Sequence, residues 1–187
     1  MLAFVTGGVR SGKSQFAESL AMKIAKRDNK SLYYIATSLR TDQEMDERIK
    51  RHQANRSNHQ LPWGTCEKSK DVGMLAERFS KKDVILLDCL TILLSNEMFH
   101  ASRQEFSNEF SNKLFLKIVR EIEKLKMASH TLIIVTNEVF HEKVSTDRGV
   151  FLYTKLLGKL HQHLVESSDA AFSVEYGVPI VKKGSCI

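Results

Sequence analysis

Short apolar runs alternate along this chain with segments whose apolar residues recur every three or four positions. Leu2 to Thr6 is the first run; it ends at Gly7 and Gly8 and reads as a buried parallel strand. From Lys13 onward Phe16, Leu20 and Ile24 repeat at helical spacing beside Ala17, Ala21 and Ala25, which predicts a helix closing near Asp28 and Asn29. Leu32 to Ala36 reads as a second strand, followed by Thr37 and Ser38. A polar, charge-dense helix is expected from about Thr41, and Asn55 to Gly73 reads as irregular with room for a short strand at Trp63 to Glu67.

Val84 to Leu87 predicts the next strand, and Phe106, Phe110, Leu114, Ile118, Ile122 and Leu125 mark the buried stripe of a long helix. Leu132 to Thr136 is a further strand. Phe151, Leu156, Leu160 and Leu164 mark another helix, and Ala171 to Val181 is strand-like but broken by Gly177 and Pro179. Strands alternating with amphipathic helices predict an α/β fold, a mostly parallel sheet flanked by helices on both faces. Ligands in such sheets sit at the carboxyl ends of the strands, which would make Gly7, Thr37, Asp88 and Asn137 neighbours. A chain of 187 residues has room for one such domain, spanning 1–187.

The net charge of +6 favours an anionic partner but does not choose among nucleotides, nucleic acid and acidic membranes. Most Lys and Arg residues are interspersed with Asp and Glu; only Arg48 to Arg56 is concentrated. Cys66, Cys89 and Cys186 are odd in number and form no CxxC pair, so a reducing compartment is expected. No basic leader precedes an apolar core, which points to the cytoplasm. The most apolar stretch, Val84 to Leu94, is too short for membrane insertion, which takes about 20 residues.

Gly7-Gly8-Val9-Arg10-Ser11-Gly12-Lys13-Ser14 matches GxxxxGK(S/T) in full. Chance alone would produce such a match in roughly one chain of this length in a hundred. Its place between a predicted strand and a predicted helix is the one in which backbone N–H groups and the positive helix end converge on an anion, a phosphate-binding P-loop. Lys13 would meet the β and γ phosphates, and Ser14 would ligate Mg2+. A second acidic ligand is needed, and Asp88, at the end of an apolar strand, fits; the bland reading is a strand-end or capping aspartate. Glu138 is a weaker second candidate.

Between Asp42 and Arg56, Met45, Ile49 and His52 fall on one helical face. Arg48, Lys50, Arg51 and Arg56 surround His52, and positive neighbours keep an imidazole neutral and nucleophilic near pH 7. Such a ring can displace pyrophosphate from an α-phosphate and carry the nucleotidyl group. A solvated basic helix is the rival reading. His161 and His163 are two apart and make a poor metal pair, while His59, His100, His130 and His141 show no convergent partners.

Taken together, GGVRSGKS at Gly7, YIATS at Tyr34, RIKRHQANR at Arg48, LLDCLT at Leu86 and TNEV at Thr136 resemble, in order and spacing, the bifunctional adenosylcobinamide kinase and adenosylcobinamide-phosphate guanylyltransferase family of cobalamin synthesis. The resemblance runs from residue 2 to about Gly184. It implies a RecA-like P-loop fold, a guanylylated His52, and phosphates held by Gly7, Gly8, Val9, Arg10, Ser11, Gly12, Lys13 and Ser14. It also implies nucleotide contacts from Ala36, Thr37, Ser38, Gln53, Ala54, Asn55, Arg56, Glu67 and Asp88. The implied substrates are adenosylcobinamide, GTP and ATP, and the implied assembly is a homotrimer; a nucleic acid partner is not expected, since the sequence shows no aromatic interleaving or recognition helix. The chain departs from the family pattern after the Leu132 strand, at Phe140, Phe151, Thr154, Lys155 and His161, and these changes together remove arginines able to contact phosphate or a neighbouring subunit. Two alternatives remain at this point: a P-loop kinase for another small alcohol, which leaves His52 idle, and a nucleotide-switched binding module.

Overall fold

The computed structural model describes residues 1–38, 61–99, 106–140 and 146–184. The predicted polar helix from Thr41, and His52 with its basic neighbours, lie outside them.

Strand β1 (Leu2–Gly7) shows why the sheet is central. Successive side chains on a strand point to opposite faces. Leu2 and Phe4 enter one apolar cluster, whereas Ala3 and Val5 enter the other. Both faces are therefore covered, as the continuous apolar run requires. The chain continues through α1 (Lys13–Asp28), β2 (Ser31–Ala36), β3 (Trp63–Glu67), a 3-10 helix (Val72–Arg78), β4 (Asp83–Asp88), α2 (Leu90–Phe99) and α3 (Asn108–Ala128). It ends with β5 (Thr131–Asn137), α4 (Arg148–Ser167), β6 (Ala170–Glu175) and β7 (Val178–Lys183).

The seven strands lie in the order β3-β2-β4-β5-β1-β6-β7. All neighbouring pairs are parallel except β6 and β7, which form an antiparallel hairpin at one edge. The apolar stripe of α1, with Ala17, Leu20, Ala21 and Ile24, covers one face. Helices α2, α3 and α4 cover the other, together with Val72 and Leu75 of the 3-10 helix.

Three departures from the sequence pattern have physical causes. The sequence pattern predicts no helix at α2, because Leu90, Leu93, Leu94 and Met98 are all fully buried and a helix with little exposed face carries no polar period. The helix expected to start its stripe at Phe106 begins at Asn108, where Ser107 caps it by accepting from the Phe110 N–H at 3.1 Å. In α4 the buried stripe is Leu152, Leu156, Leu160 and Leu164, and Phe151 is exposed. The short strand at Trp63 to Glu67 is present as β3, and the interrupted run after Ala171 is the hairpin of β6 and β7.

Candidate active site

Strand register brings the predicted residues to one edge. Ala36 lies opposite Glu67 and Asp88, Asp88 opposite Val135, and Gly7 opposite Asn137. The N–H of Glu138 closes the gap by donating to the Gly7 carbonyl at 3.0 Å.

Gly7 to Ser14 forms a loop from the end of β1 into α1, backed by β6 and the β6–β7 turn. A Cβ on Gly7 would stand 2.5 Å from the Val174 carbonyl oxygen and 2.6 Å from Ser11 Oγ, so no larger residue fits. Gly12, the N-cap of α1, has φ +90° and lies against Gly177, whose Cα would be 3.1 Å from an added Cβ. The Gly177 N–H donates to the Ser11 carbonyl at 2.8 Å, and the Ser11 N–H donates to the Gly8 carbonyl at 3.2 Å. No side chain caps α1, and its first turn carries no acidic residue, an arrangement that suits a helix N-terminus facing an anion.

Lys13 is only 5% exposed and curls back over the loop, where its Nζ donates to the Gly8 carbonyl at 2.9 Å. A buried ammonium held against the backbone of a glycine-rich loop is suited to a polyphosphate. Ser11 Oγ and Thr6 Oγ1 are buried and have no hydrogen-bond partner among the described residues.

Asp88 ends β4 next to this loop. The Tyr34 hydroxyl donates to its Oδ2 at 3.1 Å. Thr37 ties the strand ends together. Its N–H donates to the Asp88 carbonyl at 3.1 Å, its hydroxyl donates to the Cys89 carbonyl at 2.9 Å, and its Oγ1 accepts from the Cys89 N–H at 2.8 Å. The Thr37 side chain is thus committed to Cys89 inside the protein, and Ala36 is buried; Ser38 is half-buried and Glu67 exposed. Burial, and then the Asp88 charge, push the Cys89 thiol above its ordinary value, so Cys89 is an inert packing residue. Ser14 and Asp88 offer the hard oxygen donors that magnesium takes, and the site suits that ion in donor chemistry. Gln53, Ala54, Asn55 and Arg56 lie outside the described residues with His52.

Sequence reasoning missed the supporting residues. Asn96, on the unpredicted α2, donates through Nδ2 to the carbonyls of Thr37 at 2.8 Å and Ser69 at 3.1 Å. Thr91 Oγ1 accepts from the Asn137 N–H at 2.9 Å, and Tyr153 donates to the Thr91 carbonyl at 3.1 Å. His161 is bonded to Thr136 Oγ1 at 2.8 Å and packed edgewise against Phe4 and Phe140. Burial lowers its pKa to about 4. His163 instead faces Phe115, in keeping with the two rings diverging. His130, expected to stand alone, is bonded to Asp28 at 3.0 Å; that pairing joins residues 102 apart in sequence and leaves no periodic trace.

Residues 3–182 match the family described as cobinamide kinase / cobinamide phosphate guanyltransferase. The chain belongs to this family. It is 30% identical over 186 residues to the bifunctional adenosylcobalamin biosynthesis protein CobU of Escherichia coli, covering 96% of this chain and 98% of that protein. It is 30% identical over 187 residues to the bifunctional adenosylcobalamin biosynthesis protein CobP of Pseudomonas aeruginosa, covering 98% of each. The corresponding CobU of Salmonella typhimurium is 28% identical over 186 residues, covering 96% of this chain and 98% of that protein. Among solved structures, the flagellar accessory protein FlaH of Methanocaldococcus jannaschii superposes with a TM-score of 0.55 at 17% identity, covering 98% of this chain and 78% of that one. That likeness concerns the fold alone. Family membership bears out the resemblance read from the motifs, the α/β P-loop fold and the reading of the chain as an enzyme. Among the described residues, no helix is long and apolar enough to cross a membrane.

Proposed function

We propose that this enzyme phosphorylates adenosylcobinamide and then transfers GMP from GTP to the phosphate it has made, through a guanylyl-histidine on His52. The observation that carries the reading is the buried Lys13 ammonium folded over the Gly7 to Ser14 loop, in a chain that matches the kinase and guanyltransferase family from residue 3 to 182.

In the kinase step the substrate hydroxyl oxygen attacks the γ-phosphorus of ATP or GTP, the bond to the β-phosphate oxygen breaks, the nucleoside diphosphate leaves and the hydroxyl proton is released to solvent. The loop N–H groups and Lys13 hold the phosphates and meet the charge that spreads over them. Ser14 and Asp88 would hold Mg2+, which would supply positive charge against the phosphates. In the transferase step a neutral His52 nitrogen attacks the α-phosphorus of GTP and pyrophosphate leaves. The phosphate of adenosylcobinamide phosphate then attacks the same phosphorus, the N–P bond breaks, and adenosylcobinamide-GDP is formed. Val9, Arg10, Ser38, Glu67 and the segment from Gln53 to Arg56 supply further nucleotide contacts in this reading. The enzyme acts in the cytoplasm as a homotrimer.

The test is incubation with GTP labelled at the α-phosphate. An acid-labile protein adduct forms on the wild type and is lost in His52→Asn, while γ-phosphate transfer to adenosylcobinamide persists in that variant. Absence of the adduct on the wild type across a range of magnesium concentrations would rule out the transferase half.

A further inference from the structure

The Gly7 to Ser14 loop encloses phosphates, so the base of a bound nucleotide must lie outside it, against what the rim of the loop presents. One part of that rim is the turn between β6 and β7. It is fastened to the loop by the Gly177 N–H on the Ser11 carbonyl at 2.8 Å and by the packing of Gly177 against Gly12. The residue before Gly177 is Tyr176, which is 99% exposed.

Two features make that tyrosine unlike an ordinary surface residue. Tyr176 has φ +51° and Gly177 φ +82°, the pair of positive values that marks a type I′ hairpin turn. The first of these positions favours Asn, Asp or Gly, and an aromatic L-residue in the left-handed region is strained. Strain at a site is a reason to look for a use. In addition, an aromatic ring wholly in solvent gains nothing from burial. Folding alone thus favours a different residue at both counts. A planar ring with an open face beside a phosphate loop is what a purine base requires, because stacking is available to every base and needs no further polar contact.

We infer that Tyr176 is a binding residue for the base of the nucleoside triphosphate, a stacking platform carried on the turn that braces the phosphate loop. The inference rests on the reading of Gly7 to Ser14 as the triphosphate cradle. It makes affinity for nucleotides, but not for polyphosphate alone, depend on the ring.

The experiment measures binding of GTP, ATP and inorganic tripolyphosphate by calorimetry, with Mg2+ present, to the full-length wild type, Tyr176→Asn and Tyr176→Phe. Asn suits the turn, so Tyr176→Asn holds or raises the melting temperature, whereas nucleotide affinity falls about tenfold. Tripolyphosphate affinity stays unchanged, and Tyr176→Phe binds like the wild type. Equal weakening of nucleotide and tripolyphosphate would overturn the inference, since the turn would then act only by bracing Ser11, and the cradle reading would stand. Unchanged nucleotide affinity in Tyr176→Asn would overturn it as well, as would a changed sedimentation coefficient, which would assign the ring to contact between subunits. Failure of the wild type to bind tripolyphosphate or either nucleotide would remove the cradle reading and the inference with it.

Discussion

The Tyr34 hydroxyl reaches from β2 to donate to Asp88 Oδ2 on β4 at 3.1 Å. Its ring is buried and packs edgewise against Trp63 at 6.4 Å, so the hydroxyl is held in place by its surroundings. A carboxylate with one oxygen engaged in this way has fewer orientations to lose when it takes up a cation. Tyr34→Phe keeps the ring and removes the bond. The magnesium concentration for half-maximal phosphoryl transfer should rise about fivefold, equivalent to about 1 kcal/mol for one lost hydrogen bond. A magnesium titration of initial rates, with thermal melting as a control for the fold, checks this.

Asn96 holds two carbonyls that no other described donor is seen to serve together, those of Thr37 and Ser69. Asn96→Asp places an acceptor against both. The expected cost is about 2 kcal/mol or more, a fall in melting temperature of roughly 4 to 8 °C for a chain of this size. Asn96→Ala, which only removes the donor, should fall less. Melting curves of the two variants decide the order.

His161 should set part of the acid sensitivity. Its folded pKa is lowered to about 4 by burial, against an ordinary 6.5. The unfolded chain therefore binds more protons between those values, and stability is lost as pH falls from 6.5 towards 4. The loss at pH 4 is at most about 3 kcal/mol. His161→Gln, which does not titrate, should show a flatter profile of denaturation midpoint against pH through that window.

Glu121 should act in the opposite sense. It is buried, Oε2 has no hydrogen-bond partner among the described residues, and Lys117 approaches its other oxygen only to 3.9 Å. Burial, reinforced by Glu97, pushes its pKa up to about 7 from 4.5. The fold thus holds a proton that the unfolded chain releases, and stability declines as pH rises from 4.5 through 7. Glu121→Gln imitates the protonated side chain. It should melt above the wild type at pH 8 and show little difference at pH 5, as paired melts at the two values would reveal.

These residues also mark what could be read in advance. The phosphate loop and the α1 stripe were legible because both are local: eight consecutive residues carry the one, and Phe16, Leu20 and Ile24 the other. Strand β3 is weakly marked in the sequence, since Trp63 to Glu67 gains its strand character from pairing with Leu32 to Ala36. Asn96 could not have been found, because its partners Thr37 and Ser69 are 59 and 27 residues away and its helix has no polar period. His161 looked like half of a poor metal pair, and only the packing of Phe4 and Phe140 around it shows a neutral, buried ring.

Local chemistry was enough to specify a tight glycine-rich loop between a buried strand and an amphipathic helix, since glycine spacing, a following lysine and helical period act over a few residues. The family likewise follows from short motifs kept in order along the chain. Which carboxylate meets which phenol, which turn braces the loop and which histidine loses its charge were decided by the sheet. Strand order brings distant residues into hydrogen-bond range and excludes water from them, and both the strength of those bonds and the pKa shifts depend on that exclusion.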